Sequence, residues 1–174
     1  MPKLVNEYQV HDLILDFNLV KNSSFIYNPK DEEYLNWIPV ELKLQAGENS
    51  YTYKRTPTFS LEALRKYFIG TLEKVLKENE ELNQSFVEKE RETYHCGATE
   101  GEFWFELENS SEEIEKEIIY IRLWLNVVSM TEQATGYDIG FSFIVLNRDL
   151  AKFVKELKQQ VYDLTNGDVD IPGR

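Results

Sequence analysis

A single cysteine, Cys96, in a chain of 174 residues excludes an internal disulfide, so the fold must hold by packing, as is usual in a reducing compartment. Histidine is almost as scarce. His11 and His95 are the only other soft metal ligands, and no C-x-x-C or H-x-x-x-H spacing relates them to Cys96 or to each other. His95 and Cys96 are sequence neighbours that would point apart on an extended segment, which argues against a metal site and against a Cys–His nucleophile alike. Gly97, Gly101, Gly136 and Gly140 form neither a G-x-G-x-x-G nor a P-loop pattern, so nucleotide binding has no support. Long apolar runs are missing as well: none approaches the roughly 20 residues that span a bilayer, and the opening "MPKLVNEYQVHD" lacks a basic start leading into an apolar stretch. These absences predict a soluble, unexported, cytoplasmic protein that is not an enzyme and has no catalytic, cofactor or metal site.

Positive charge is also short. Nineteen lysines and arginines stand against 31 aspartates and glutamates, for a net charge of -12 and a pI near 4.7. Such a field repels phosphate backbones and anionic lipid, so neither a nucleic acid nor a membrane is expected as a direct partner. The charge is uneven, with eight glutamates and one lysine between residues 100 and 117. That stretch reads either as a solvated edge that keeps the chain soluble or as a docking surface that steers a basic partner. Glutamates are so numerous that no acid and base pair stands out among them.

What is present is regular patterning at the scale of one domain spanning residues 1–174, with a core over about 10–164 and a polar, frayed tail over 165–174. Leu13, Leu15, Phe17 and Leu19 alternate with polar residues and predict a first strand. The polar stretch "KNSSFIYNPKDEEYLN" reads as a long loop. "WIPVELKLQ" then predicts a strand with Ile38, Val40, Leu42 and Leu44 inward, turning through "AGEN" into "SYTYKR" as a hairpin. Ser60 is placed to cap a helix whose apolar face is Leu61, Leu64, Phe68, Leu72, Val75 and Leu76. "SFVEKERETYHCG" is expected to be extended in part, followed by the strands "EFWFELE", "IIYIRLWLNVV" and "YDIGFSFIVL". A last helix, with Asn147 as its expected cap, carries the stripe Leu150, Phe153, Val154, Leu157, Val161 and Leu164. A strand, loop, strand and capped helix recur over 37–78 and 118–164, a coarse internal echo. Many strands with only two helices predict an α+β fold, a mainly antiparallel β-sheet with two amphipathic helices packed on one face.

In "EFWFELE", Phe103, Phe105 and Leu107 take the apolar side, which leaves Trp104 among glutamates on the other. Trp37 and Trp124 fall on the more polar side of their own strands in the same way. All three tryptophans so placed predict a shared aromatic surface, with Tyr120 and Arg122 nearby and Glu106 opposite. Such a surface fits a protein interface, where aromatics and arginine supply most hot spots. It also fits a face covered by the long loop or a second sheet, or a small-molecule pocket.

The order of elements, with "NWIPVELKLQ", "FSLEALRKYFIGTLEKVL", "FWFELE", "IIYIRLWLNVV" and "IGFSFIVLNRDLAKFVKELKQQV", resembles the WapI-type immunity proteins of bacteria over about residues 10–164. The resemblance implies an immunity protein that binds and neutralises the C-terminal domain of a cognate toxin, commonly a nuclease, by occluding its active or substrate-binding surface. The facing and charge of the residues then single out Trp37, Trp104, Tyr120, Arg122 and Trp124 as anchors, with Glu102, Glu106 and Glu108 for steering. An acidic adaptor module with a non-toxin partner is an alternative, and an enzyme using paired glutamates is another.

Overall fold

The computed structural model describes residues 1–7, 12–20, 27–53, 58–84, 92–109, 117–131 and 136–169. His11, the acidic stretch over 110–116 and the end of the tail over 170–174 lie outside these, as do parts of the expected long loop (21–26), the extended stretch (85–91) and the loop after the long strand (132–135).

Alternation builds the strands. Leu13, Leu15, Phe17 and Leu19 are all buried along β2 (Leu13–Leu19), and the inward set on β3 (Trp37–Ala46) is buried as the pattern requires. β2 pairs antiparallel with both β1 (Lys3–Val5) and β3, and β3 pairs with β4 (Asn49–Thr52) and, at its other end, with β5 (Thr58–Ser60). The β3–β4 hairpin closes at Gly47, whose φ of 58° is a conformation glycine adopts without steric cost. β6 (Thr93–Gly97), β7 (Phe103–Asn109), β8 (Ile118–Asn126) and β9 (Asp138–Leu146) form a second antiparallel meander in that order. The fold is therefore α+β, with two antiparallel sheets of five and four strands and two main helices packed against them. Short strands such as β1 and β5 carry too few residues for alternation to register.

The Ser60 hydroxyl accepts the Ala63 amide at 3.2 Å, the expected cap. Beyond it the helix is π-wound over Ala63–Ile69 before continuing as α1 (Gly70–Gln84). Phe68 and Ile69 at the end of this wider turn are both buried in the core. The second main helix, labelled α3, runs Asn147–Leu164 after a short α2 (Val127–Thr131) that replaces the end of the expected long strand. The Asn126 side chain accepts the Ser129 amide at 3.0 Å and starts that short helix. Asn147 does not cap α3: its side-chain oxygen faces the Asn79 amide of α1 at 3.5 Å instead.

Each helix packs largely on the other half of the chain. α1, which follows the first sheet, lies against β6 and β7, whereas α3 lies against β1 and β2 as well as β9, and the two helices touch. Phe17, Phe59, Phe68, Phe103, Phe105 and Phe153, all within 1% of full burial, join these layers. The Phe17 ring meets Phe68 at 5.4 Å, Phe103 at 5.7 Å and Phe153 at 5.8 Å, thereby touching the π turn, the second sheet and α3. Lys158 of α3, 3% exposed, is ion-paired with Glu73 of α1 and ties the helices together at their polar seam.

The core reaches further than 10–164 at both ends. Leu4 is buried, and the chain beyond α3 turns through Asn166 and Gly167 at φ 53° and 82° to return Val169 to the interior. The Gly167 amide donates to the Tyr162 carbonyl at 2.9 Å in that reversal, so residues 165–169 of the expected tail form a helix stop. Truncating the hub of the core should be severe: Phe17→Ala is expected to lower unfolding free energy by about 3–5 kcal/mol, measured by urea denaturation.

Candidate functional site

The register of the second sheet sets its outer face. Across the sheet, Gly97, Trp104, Trp124 and Gly140 stand opposite one another in one row, and His95, Glu106, Arg122 and Ser142 form the next. A third row holds Thr93, Glu108, Tyr120 and Ile144. Among the described residues no side chain of these rows is fully buried, while the alternate positions of β7 and β8 face the phenylalanine core.

The two indoles lie side by side, with centroids 5.9 Å apart and planes 18° from parallel. The glycines flanking them explain the packing. A Cβ at Gly140 would come within 2.8 Å of the Trp124 ring, so the indole rests directly on the β9 backbone. A Cβ at Gly97 would meet the Phe103 carbonyl oxygen at 2.4 Å and the Trp104 Cβ at 2.6 Å, so β6 and β7 approach closely there. One row further along, Arg122 Nη1 donates to Glu106 Oε2 at 2.7 Å, and the guanidinium carbon sits 5.9 Å from the Trp124 ring centroid. The arrangement is a half-exposed aromatic pair beside a bonded acid and base. Glu108 accepts the Thr93 hydroxyl at 2.9 Å, which holds its carboxylate on the same face.

Trp104, Tyr120, Arg122, Trp124, Glu106 and Glu108 therefore share one face, and two of the expected residues do not. Trp37 opens β3 in the first sheet, opposite Ser60, and is 40% exposed, so the three tryptophans are not one surface. Polarity on an individual strand indicates an outward face, but two sheets have two such faces. Glu102 sits in the turn before β7 rather than on the strand, half-buried against β5. Its Oε2 is shielded and makes no hydrogen bond, while the Tyr53 hydroxyl donates to the Glu102 backbone carbonyl. Burial raises the Glu102 carboxyl above its ordinary 4.5, against backbone hydrogen bonds from its own amide and from Thr58 that lower it. Tyr53 is likewise pushed up by burial and then by the Glu102 charge.

His95 is exposed and Cys96 is buried, on opposite faces of β6, and burial pushes the Cys96 thiol well up. A thiol so protonated and enclosed is a packing group rather than a nucleophile. No helix among the described residues is long and apolar enough to cross a membrane.

No family model matches the chain, and no curated protein matches it. Among solved structures, the chain is similar to the plant transcriptional regulator PBF-2, with 9% identity, 94% of this chain and 81% of that chain covered, and a TM-score of 0.39. A likeness of that degree assigns no residue and no activity.

Two outcomes follow from this geometry. Gly140→Ala should displace the Trp124 indole, shifting tryptophan emission and costing about 1–3 kcal/mol of stability in denaturant titration. Because folding raises the Glu102 pKa, the folded chain holds that proton more tightly than the unfolded chain; the group's contribution is best below pH 4.5 and is lost as the pH rises through the folded value. Glu102→Gln should accordingly melt higher than the parent at pH 7, with the difference closing as the pH falls below 4.5; a constant difference across that range would rule out the carboxylate as its cause.

Proposed function

We propose that this protein is a non-enzymatic immunity protein that binds and neutralises a cognate toxin domain, a basic nuclease, by occluding its active or substrate-binding surface with the outer face of the second sheet. The observation that carries this reading is the adjacent Trp104–Trp124 pair and Glu106–Arg122 pair, partly exposed on the outer face of the second sheet, in a chain of net charge -12. A nuclease must attract a polyanion, so its cleft is basic, and an acidic protein with a half-exposed aromatic centre complements it. Trp104, Tyr120 and Trp124 act as anchors that exclude water at the centre of the contact. Arg122 is held in place by Glu106 and so enters the interface with little loss of rotamer freedom. Glu106 and Glu108 contribute to the steering field. No site for chemistry enters this function, and the partner is a protein rather than a nucleic acid or membrane.

The test is titration calorimetry against the C-terminal domain of whatever large protein is encoded immediately upstream, at two salt concentrations. Equimolar binding that weakens with salt is expected. Trp124→Ala should weaken it by at least about 2 kcal/mol, through faster dissociation. Glu108→Gln, which leaves the Glu106–Arg122 pair intact, should instead slow association and flatten its salt dependence. Equal affinity in all these variants would remove this face, and no binding at either salt would sink the immunity reading and leave an acidic adaptor.

A further inference from the structure

A group of exposed apolar residues lies elsewhere. Of the seven large apolar residues that are exposed among the described ones, three fall within four positions: Tyr34 at 49%, Leu35 at 54% and Trp37 at 40%. Scattered exposed apolar residues are ordinary, but three together on one short segment are not.

This segment is held, not loose. Asn36, 4% exposed, accepts the Asn28 amide at 2.9 Å and donates to the Asn28 and Glu32 carbonyls, each at 3.3 Å. Its own carbonyl accepts the Leu61 amide at 2.7 Å, and the Leu35 amide closes a turn onto the Glu32 carbonyl at 2.9 Å. Glu33 is ion-paired with Arg65 of the π turn, which braces the segment against the start of the first helix. One buried asparagine thus turns inward so that the residues on either side of it project outward. A surface ordered in advance loses little conformational entropy when it is covered, which is the property of a binding epitope.

Charge says what covers it. Asp31 and Glu32 are exposed beside the apolar residues, and Lys30 is the one base between positions 28 and 37. A second copy of this chain would bring two acidic rims together in molecules of net charge -12, which is repulsive. We infer that residues 31–37 form a docking knuckle that inserts Tyr34, Leu35 and Trp37 into an apolar pocket rimmed by lysine or arginine on a partner protein. The knuckle is built on the first sheet and stands independently of the second-sheet face.

Amide chemical-shift mapping of the full chain tests it with two peptides of equal charge, one alternating arginine with leucine and one of arginine alone. The arginine–leucine peptide should perturb residues 31–37 most strongly and bind at least about ten-fold more tightly, and the combined Tyr34→Ser and Trp37→Ser variant should lose that advantage. Equal binding of the two peptides, or strongest perturbation elsewhere, would overturn the inference. Spectra unchanged outside 28–37 establish that the variant is folded; failing that, Leu35→Ser alone, at the most exposed of the three positions, replaces it with the same expected loss. The same variant should also weaken binding to the upstream-encoded domain by about ten-fold or more, and unaltered affinity there would overturn the knuckle while leaving the immunity function standing. If that domain does not bind the parent chain at all, the function fails and the peptide comparison still decides the knuckle. Self-association of the parent chain in sedimentation, lost in the variant, would assign the knuckle to a second copy and overturn the inference.

Discussion

Everything in this molecule turns on one ring. Phe17 contacts aromatic side chains from the π turn, the second sheet and α3, so both sheets and both helices are referred to a single point in the interior. Aromatic rings at these separations and tilts combine large apolar burial with favourable edge contacts. The outward faces follow from that arrangement. Because Phe103 and Phe105 must reach this cluster, Trp104 and Glu106 have no choice but the opposite side of β7, and the same parity applies on β8.

Parity is also what made much of the fold legible without coordinates. The inward residues of β2, β3, β7 and β8 follow from alternation, which Pro39 and Ile118 break by being buried on its outward side, and the stripe of α3 follows from a helical period. What alternation cannot express is which strands belong to which sheet. Trp37 and Trp104 carry the same local signal, yet one stands in the five-stranded sheet and the other in the four-stranded one. The π turn was hidden for a related reason, since a local change of helical period reads as an ordinary apolar spacing with one residue out of place. Asn147 matched the chemistry of a cap but faces a neighbouring helix, a tertiary contact that overrides the local preference.

The candidate site was half visible in the same sense. Glu106 opposite Arg122 and Trp104 opposite Trp124 are consequences of register, which the sequence only permits. The glycines gain their meaning from it too: Gly140 is needed because the Trp124 ring lies where a side chain would otherwise stand. Glu102 belongs to the acidic run by composition but sits half-buried in the turn before β7, which separates it from Glu106 and Glu108 on the strand. The segment around Asn36 looked like an ordinary polar loop because its anchor is polar and its exposed residues are apolar, the reverse of the usual division.

The exchange of helices between the halves bears on how the chain is made. As it leaves the ribosome, the first sheet and α1 are complete before β6 and β7 exist, so the apolar face of α1 has no lasting partner until the second meander follows. β1 and β2 wait in turn for α3, the last main helix of the chain. Neither half can reach its final packing during synthesis, and the native contacts close together only when the whole has emerged. Until then apolar surface and unpaired edges stay exposed, the condition in which misassembly competes with folding.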